Sequence, residues 1–86
     1  MTYTYKPQGV CSSQIDLDIE DGIIKDVAFV GGCNGNLSGI ARLVKDRPAA
    51  ELISILSGTL CGRKSTSCPD QLAKAIEAAL AAEAKQ

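Results

Sequence analysis

Four cysteines, Cys11, Cys33, Cys61 and Cys68, are the residues of this 86-residue chain best equipped for chemistry. A thiolate binds soft metals and attacks disulfides. Histidine is absent. No Ser-His-Asp or Cys-His couple can therefore form within the chain. A metal site built from it must use cysteine alone, or cysteine with carboxylates, and a three-histidine zinc centre is excluded. The cysteines are separated by 22, 28 and 7 positions. No pair has the two-residue gap of a zinc ribbon, so spacing alone does not make them a set. What matters is where the surrounding elements put them.

Cys68 stands immediately before Pro69, and an alanine-rich helical pattern follows. Proline is favoured at the first helical position, where its missing N–H costs nothing. Cys68 is therefore expected at the N-cap or one residue inside. Unpaired N–H groups and the positive end of the helix dipole favour an anion there. The plain alternative is that Thr66, Ser67 and Asp70 form an ordinary cap and Cys68 fills space. Cys33 lies in 31–36, Gly31-Gly32-Cys33-Asn34-Gly35-Asn36, a loop whose composition exposes backbone. A helix is expected just after it, with Asn36 as N-cap. Cys61 sits between Gly58 and Gly62, in the loop that also carries Arg63 and Lys64.

The positioning elements read clearly. From Gln14 to Glu20 the pattern has strict period two, with Ile15, Leu17 and Ile19 on one face and Asp16, Asp18 and Glu20 on the other. Asp21-Gly22 is a hairpin turn signal, and 23–30 is the return strand. Tyr3 and Tyr5 alternate in a short first strand. Leu37, Ile40, Ala41 and Val44 recur at helical spacing. A second helix is expected from Pro48, capped by Asp46 or Arg47, with Ala49, Leu52, Ile53 and Leu56 inward and Gly58 as its terminal glycine. The last helix carries Leu72, Ala75, Ile76, Ala79 and Leu80. Strands first and helices after argue for α+β. The expected architecture is a three-stranded antiparallel sheet (about 2–6, 13–20 and 23–30) with three helices (about 36–45, 48–57 and 69–84) on its one apolar face, in a single domain over 1–86. In a hairpin the start of one arm lies beside the end of the other, so Cys11 and Cys33 are expected as neighbours. A last helix packed antiparallel on the sheet brings Cys68, and Cys61 with it, to the same end.

Composition narrows the choices. Apolar residues make up 45% of the chain and aromatics 3% (Tyr3, Tyr5 and Phe29), so the core must be aliphatic and alanine-rich. The net charge is −1. No Lys/Arg cluster or aromatic platform suits nucleic acid. No apolar run approaches a membrane span. The first residues lack a basic-then-apolar leader, so a cytoplasmic protein is expected. In that compartment four cysteines point to metal or redox chemistry rather than structural disulfides.

Three readings follow. In the first, Cys11, Cys33, Cys61 and Cys68 hold one zinc ion or one iron–sulfur cluster, with Gly31, Gly32, Asn34, Gly35, Asn36 and Asp70 around it. A closed four-cysteine set leaves no open position, so no catalytic residue is assigned. In the second, Cys61 and Cys68 form a redox dithiol. In the third, the N–H groups of 31–36 receive a phosphate, although the pattern is not a phosphate-binding glycine motif.

Thr66-Ser67-Cys68-Pro69-Asp70 spells the motif that names the TSCPD domain family, and the chain resembles that family nearly throughout. The matching stretches are Gly9-Val10-Cys11-Ser12, Asp21-Gly22-Ile23-Ile24, Gly31-Gly32-Cys33-Asn34-Gly35-Asn36 with Gly39-Ile40, Leu60-Cys61-Gly62-Arg63-Lys64, and Cys68 through Ala73. The resemblance implies a stand-alone small member of a family also found at the C-terminus of adenosylcobalamin-dependent ribonucleotide reductases. By that association it implies ribonucleoside-diphosphate reductase activity, nucleotide binding and DNA synthesis. Because 86 residues are too few for a complete reductase, the expectation becomes an accessory role beside such an enzyme or another redox enzyme. A fainter resemblance is to U-type iron–sulfur cluster scaffold proteins, whose three cysteines Cys11, Cys33 and Cys68 match in order. The scaffold's aspartate is replaced by Ser13 and its histidine by Ser67, and Cys61 is additional.

Overall fold

The computed structural model describes residues 1–7, 9–10, 12–31, 34–59 and 66–84. Strands β1 (Thr2–Tyr5), β2 (Ser12–Glu20) and β3 (Ile23–Gly31) come first. Helix α1 (Asn34–Val44), a two-residue strand β4 (Arg47–Pro48), and helices α2 (Ala49–Leu56) and α3 (Cys68–Ala84) follow. The sheet is antiparallel throughout, in the order β1-β2-β3-β4. The α+β reading holds, with four strands in place of the expected three.

The β2–β3 hairpin turns through Asp21 and Gly22, with φ of 50° and 77°. Two consecutive positive φ values make the primed turn whose twist suits a hairpin. The ladder is not regular. Ser13 is an extra residue on β2, between the pairs Ser12–Gly31 and Gln14–Val30. Lys25 is an extra residue on β3, between Asp18–Asp26 and Ile19–Ile24. The second bulge has a cause in the sequence. Ile24, Val27 and Phe29 are spaced three and then two, which a straight strand cannot put on one face. The bulge absorbs the odd step. Val27 then faces Leu17 and Phe29 faces Ile15.

The inner face carries Ile15, Leu17, Ile19, Ile24 and Val27, all buried, with Tyr3, Tyr5 and Phe29 packed at its margin. Helix α3 lies against β2 and β1, and α1 against β3. Helix α2 packs on α3 and β4, so α3 is covered from two sides. Its buried set Leu72, Ala73, Ala75, Ile76 and Ala79 is correspondingly broad, and the alanines allow close approach. Ile15, Leu17, Ile19, Ile24, Leu72 and Ile76 are the largest side chains fully withdrawn from water. Each contributes about 1.5–3 kcal/mol of hydrophobic stabilisation.

Several local expectations need correction. Helix α1 begins at Asn34, so Asn36 lies within its first turn and is not the N-cap. Pro48 is not the first helical residue, and neither Asp46 nor Arg47 caps α2. Pro48 itself occupies the N-cap position with φ −62° and ψ 131°, without a side-chain cap. Proline fixes φ at a value that helix and extended chain share, so ψ decides. Here ψ is set by pairing of Arg47–Pro48 with Ile24 and Ile23. Ala49 N–H then donates to Gly22 C=O at 2.8 Å.

Candidate functional site

The Thr66–Gln71 stretch forms a buried polar knot at the start of α3. Ser67 is the N-cap: its carbonyl accepts the first helical bond from Gln71 N–H (2.8 Å), and its Oγ accepts Asp70 N–H (3.2 Å). This is a side-chain N-cap, which satisfies an N–H group that no helical carbonyl can reach. Cys68 is therefore the first helical residue, the inner of its two expected placements, and Pro69 is the second helical residue and not the first. Asp70 accepts Gly58 N–H on Oδ1 (2.8 Å) and the Thr66 hydroxyl on Oδ2 (2.5 Å). Thr66 Oγ1 in turn receives Gln71 Nε2 at 2.9 Å. The Ser67 hydroxyl donates to the carbonyl of Thr59. The chain on either side of 60–65 is thus clasped together by side chains of the motif itself.

Asp70 is 7% exposed. The Thr66 hydroxyl, followed by the Gly58 N–H, holds its carboxyl below the usual range, against the opposing effect of burial. Both oxygens are engaged. The negative charge of Asp70 therefore serves to join the start of α3 to the end of α2.

The knot touches the β1–β2 connection at one point and the sheet at another. Gly9 has φ +73°, and a Cβ there would lie 3.1 Å from Thr66 Cγ2. The positive φ favours glycine, and a Cβ would also press on the Thr66 methyl. The second contact is between Ser12 Oγ and Cys68 Sγ, 3.5 Å apart. Ser12 is buried at 2% exposure and lies opposite Gly31 in the ladder. At the other end of the molecule, Gly22 N–H donates to Glu83 Oε1 at 3.0 Å. Helix α3 is therefore fixed along the hairpin with its first turn at the open end and its last turn at the tight turn. That is the orientation that convergence of the cysteines requires.

Of the expected ligands, only Cys68 is described. It is half-buried and forms no disulfide. Cys11, Cys33 and Cys61 lie outside the described residues, as does Gly32. Among the described residues, no three His, Cys, Asp or Glu side chains gather as a metal site. What the fold does gather is the chain next to each cysteine. Ser12 adjoins Cys11. Gly31, with φ +80°, stands two residues before Cys33. Thr59 stands two before Cys61. Asn34 and Gly35 open α1, and Gly35 and Asn36 are exposed. Among the described residues, a Cβ on Gly35 would meet nothing within 4 Å.

Sequence reasoning missed Ser12. The scaffold resemblance drew attention to Ser13, which is exposed on the outer face and donates to Val30 C=O at 3.2 Å. The bulge at Ser13 turns Ser12 inward, and period-two reading cannot see a bulge.

The chain matches the TSCPD domain family model over residues 1–80. It belongs to the TSCPD domain family. No curated protein and no solved structure gives a significant match. In this TSCPD domain the naming residues are chiefly a fastener: Thr66, Ser67 and Asp70 bind one another or the chain at 58–59, and Cys68 meets Ser12 of the sheet. No described helix is long and apolar enough to cross a membrane.

Proposed function

We propose that this TSCPD domain is a metal-binding module in which Cys11, Cys33, Cys61 and Cys68 hold one zinc ion or one iron–sulfur cluster, accessory to a ribonucleotide reductase or to thiol and cluster chemistry. The observation that carries the reading is the 3.5 Å contact of Ser12 with Cys68, made where Ser12 pairs with Gly31. It puts the residue beside Cys11, the residue two before Cys33, and the Cys68 sulfur in one neighbourhood. The donor set fits such a group. Thiolates suit zinc and iron–sulfur clusters, no histidine competes, and Asp70 is committed elsewhere. Bound metal would add stability to a small core, because binding and folding are coupled.

The test is metal and sulfide content, with a visible spectrum, on protein purified without oxygen. One zinc per chain and no colour identifies a structural four-thiolate site. Iron with sulfide identifies cluster handling. Cys61→Ser lowers metal content and melting temperature together, and if it changes neither, the four-ligand reading fails.

A second reading rests on the clasp between Thr59 and Ser67. It holds together the chain flanking Cys61 and Cys68, as a dithiol pair requires. Such a pair would reduce a partner enzyme's disulfide by exchange, ending as a Cys61–Cys68 disulfide while the partner gains two thiols. Mass spectrometry of metal-free protein after mild oxidation detects that bridge, and finding only free thiols removes the reading. Nucleotide binding comes from the family association, and ATP titration with amide shifts in 31–36 would establish it.

A further inference from the structure

We propose that the outer edge of β3 between Val27 and Phe29, walled by α1, binds an extended peptide segment of a partner protein by strand addition. Strand β4 covers only Ile23 and Ile24 of this edge. Beyond them, no strand among the described residues pairs with β3 on that side.

The direction of the main-chain groups follows from the ladder. Ile19 N–H donates to Met1 C=O, on the β1 side. Antiparallel pairs alternate, so Leu17 and Ile15 also turn their groups toward β1. Val27 and Phe29, directly opposite them, must turn theirs away from β2. Val27 confirms this, since its N–H is accepted by Asp26 Oδ1 at 3.0 Å and not by β2. Phe29 N–H, Phe29 C=O and Val27 C=O therefore point along the open edge. Among the described residues nothing bonds them.

This edge forms one side of a groove of about 250 Å³ lined by Val27, Ala28, Phe29, Leu37, Ser38 and Ala41. Among these described residues only Ser38 has a polar side chain. Main-chain donors and acceptors on one side and apolar side chains on the other are what an extended peptide matches. The position is also continuous with a strand that the chain itself supplies. Strand β4 occupies the same lane beside Ile23 and Ile24, and the chain leaves that lane at Asp46, whose φ is +64°. A peptide there would prolong β4. A second copy is a poorer occupant, because its own β3 edge carries its own α1, and the two helices would meet before the edges could pair.

The test uses the full 86-residue chain and a displayed library of random linear heptapeptides, with selected sequences then synthesised. Binding should shift the amide signals of Val27 through Phe29. N-methylation of alternate peptide amides should weaken binding about tenfold or more, while methylation of the intervening amides is tolerated. Ser38→Arg, which fills the groove from an exposed position on α1, should abolish binding, whereas Ser54→Arg on α2 should not. The proposal is overturned if no peptide binds tighter than about 1 mM. It is equally overturned if binding ignores both Ser38→Arg and the methylation pattern. Sedimentation that finds a dimer dissolved by Ser38→Arg would make a second copy the occupant and overturn the partner assignment.

Discussion

Asp70 is the residue whose removal tests most sharply whether the motif fastens the start of α3 to the chain before it. Asp70→Ala deletes two bonds to an ionised acceptor, from Gly58 N–H at 2.8 Å and from the Thr66 hydroxyl at 2.5 Å. Bonds of this kind contribute about 1.5–3 kcal/mol each. Gly58 is exposed and water can replace its partner, so that bond counts at the low end. Thr66 is only 8% exposed, and its hydroxyl is left without an acceptor. The expected total is about 2–4 kcal/mol. For a domain of this size that lowers the melting temperature by roughly 10–25 °C. Asp70→Asn keeps the shape and the Gly58 bond but turns an amide toward Thr66, and should cost about 1–2 kcal/mol. The assay is urea unfolding of wild type and both variants from pH 7 down to pH 3. The folded carboxyl titrates below its unfolded value, so its stabilisation is complete above the ordinary carboxylate range and is lost as pH falls through the lowered folded value. The gap between wild type and Asp70→Asn should therefore narrow as pH falls below about 4. Taking the difference between the two proteins removes the thiols and every other carboxylate from the comparison. If Asp70→Ala lies within about 0.5 kcal/mol of wild type, or the gap persists unchanged in acid, the fastening account is wrong.

Three further outcomes are expected. Gly9→Ala forces a side chain into positive φ against Thr66 and should cost about 1–2 kcal/mol in denaturant unfolding, with amide shifts at Thr66. Ile76→Ala empties a fully buried core position on α3 and should cost about 2–5 kcal/mol by the same measurement. Glu83→Ala frees the hairpin turn from the end of α3, costs about 0.5–1.5 kcal/mol, and speeds hydrogen exchange at Gly22 while leaving Cys68 chemistry unchanged.

Where a signal repeats, the chain was readable. Ile15, Leu17 and Ile19 alternate over enough residues to fix a strand and its inner face. Asp21-Gly22 specifies its turn, and Leu72, Ala75, Ile76 and Ala79 specify the buried side of α3. Two residues cannot show a period, so β4 was invisible, and Pro48 was misread because its φ suits two conformations. The α1 boundary moved by two residues for want of a strong start signal, while its apolar face at Leu37 and Val44 read correctly. At the site, Ser12, Gly31 and Cys68 meet at one end of the sheet, while the expected convergence of Cys11, Cys33 and Cys61 lies outside the described residues. Ser12 was overlooked because its inward turn depends on a tertiary irregularity. The cap at Ser67 and Asp70 was legible as local chemistry, yet its long reach to Gly58 and Thr59 was not, since nothing in the spacing announces it.

The two bulges give the hairpin something like a shifted reading frame. From Ser12 to Gly31 the paired residue numbers sum to 43, from Gln14–Val30 to Asp18–Asp26 they sum to 44, and from Ile19–Ile24 to Glu20–Ile23 they sum to 43 again. One insertion on each arm opens and then closes the shift. Inside that window, loss of a single residue on either arm would exchange indoors for outdoors along the rest of the arm. Ser13 and Lys25 are different: each is already supernumerary, so deleting either leaves every apolar side chain facing the core. Tolerance to shortening in this hairpin is therefore concentrated at two addresses, one beside the cysteine end and one beside the turn.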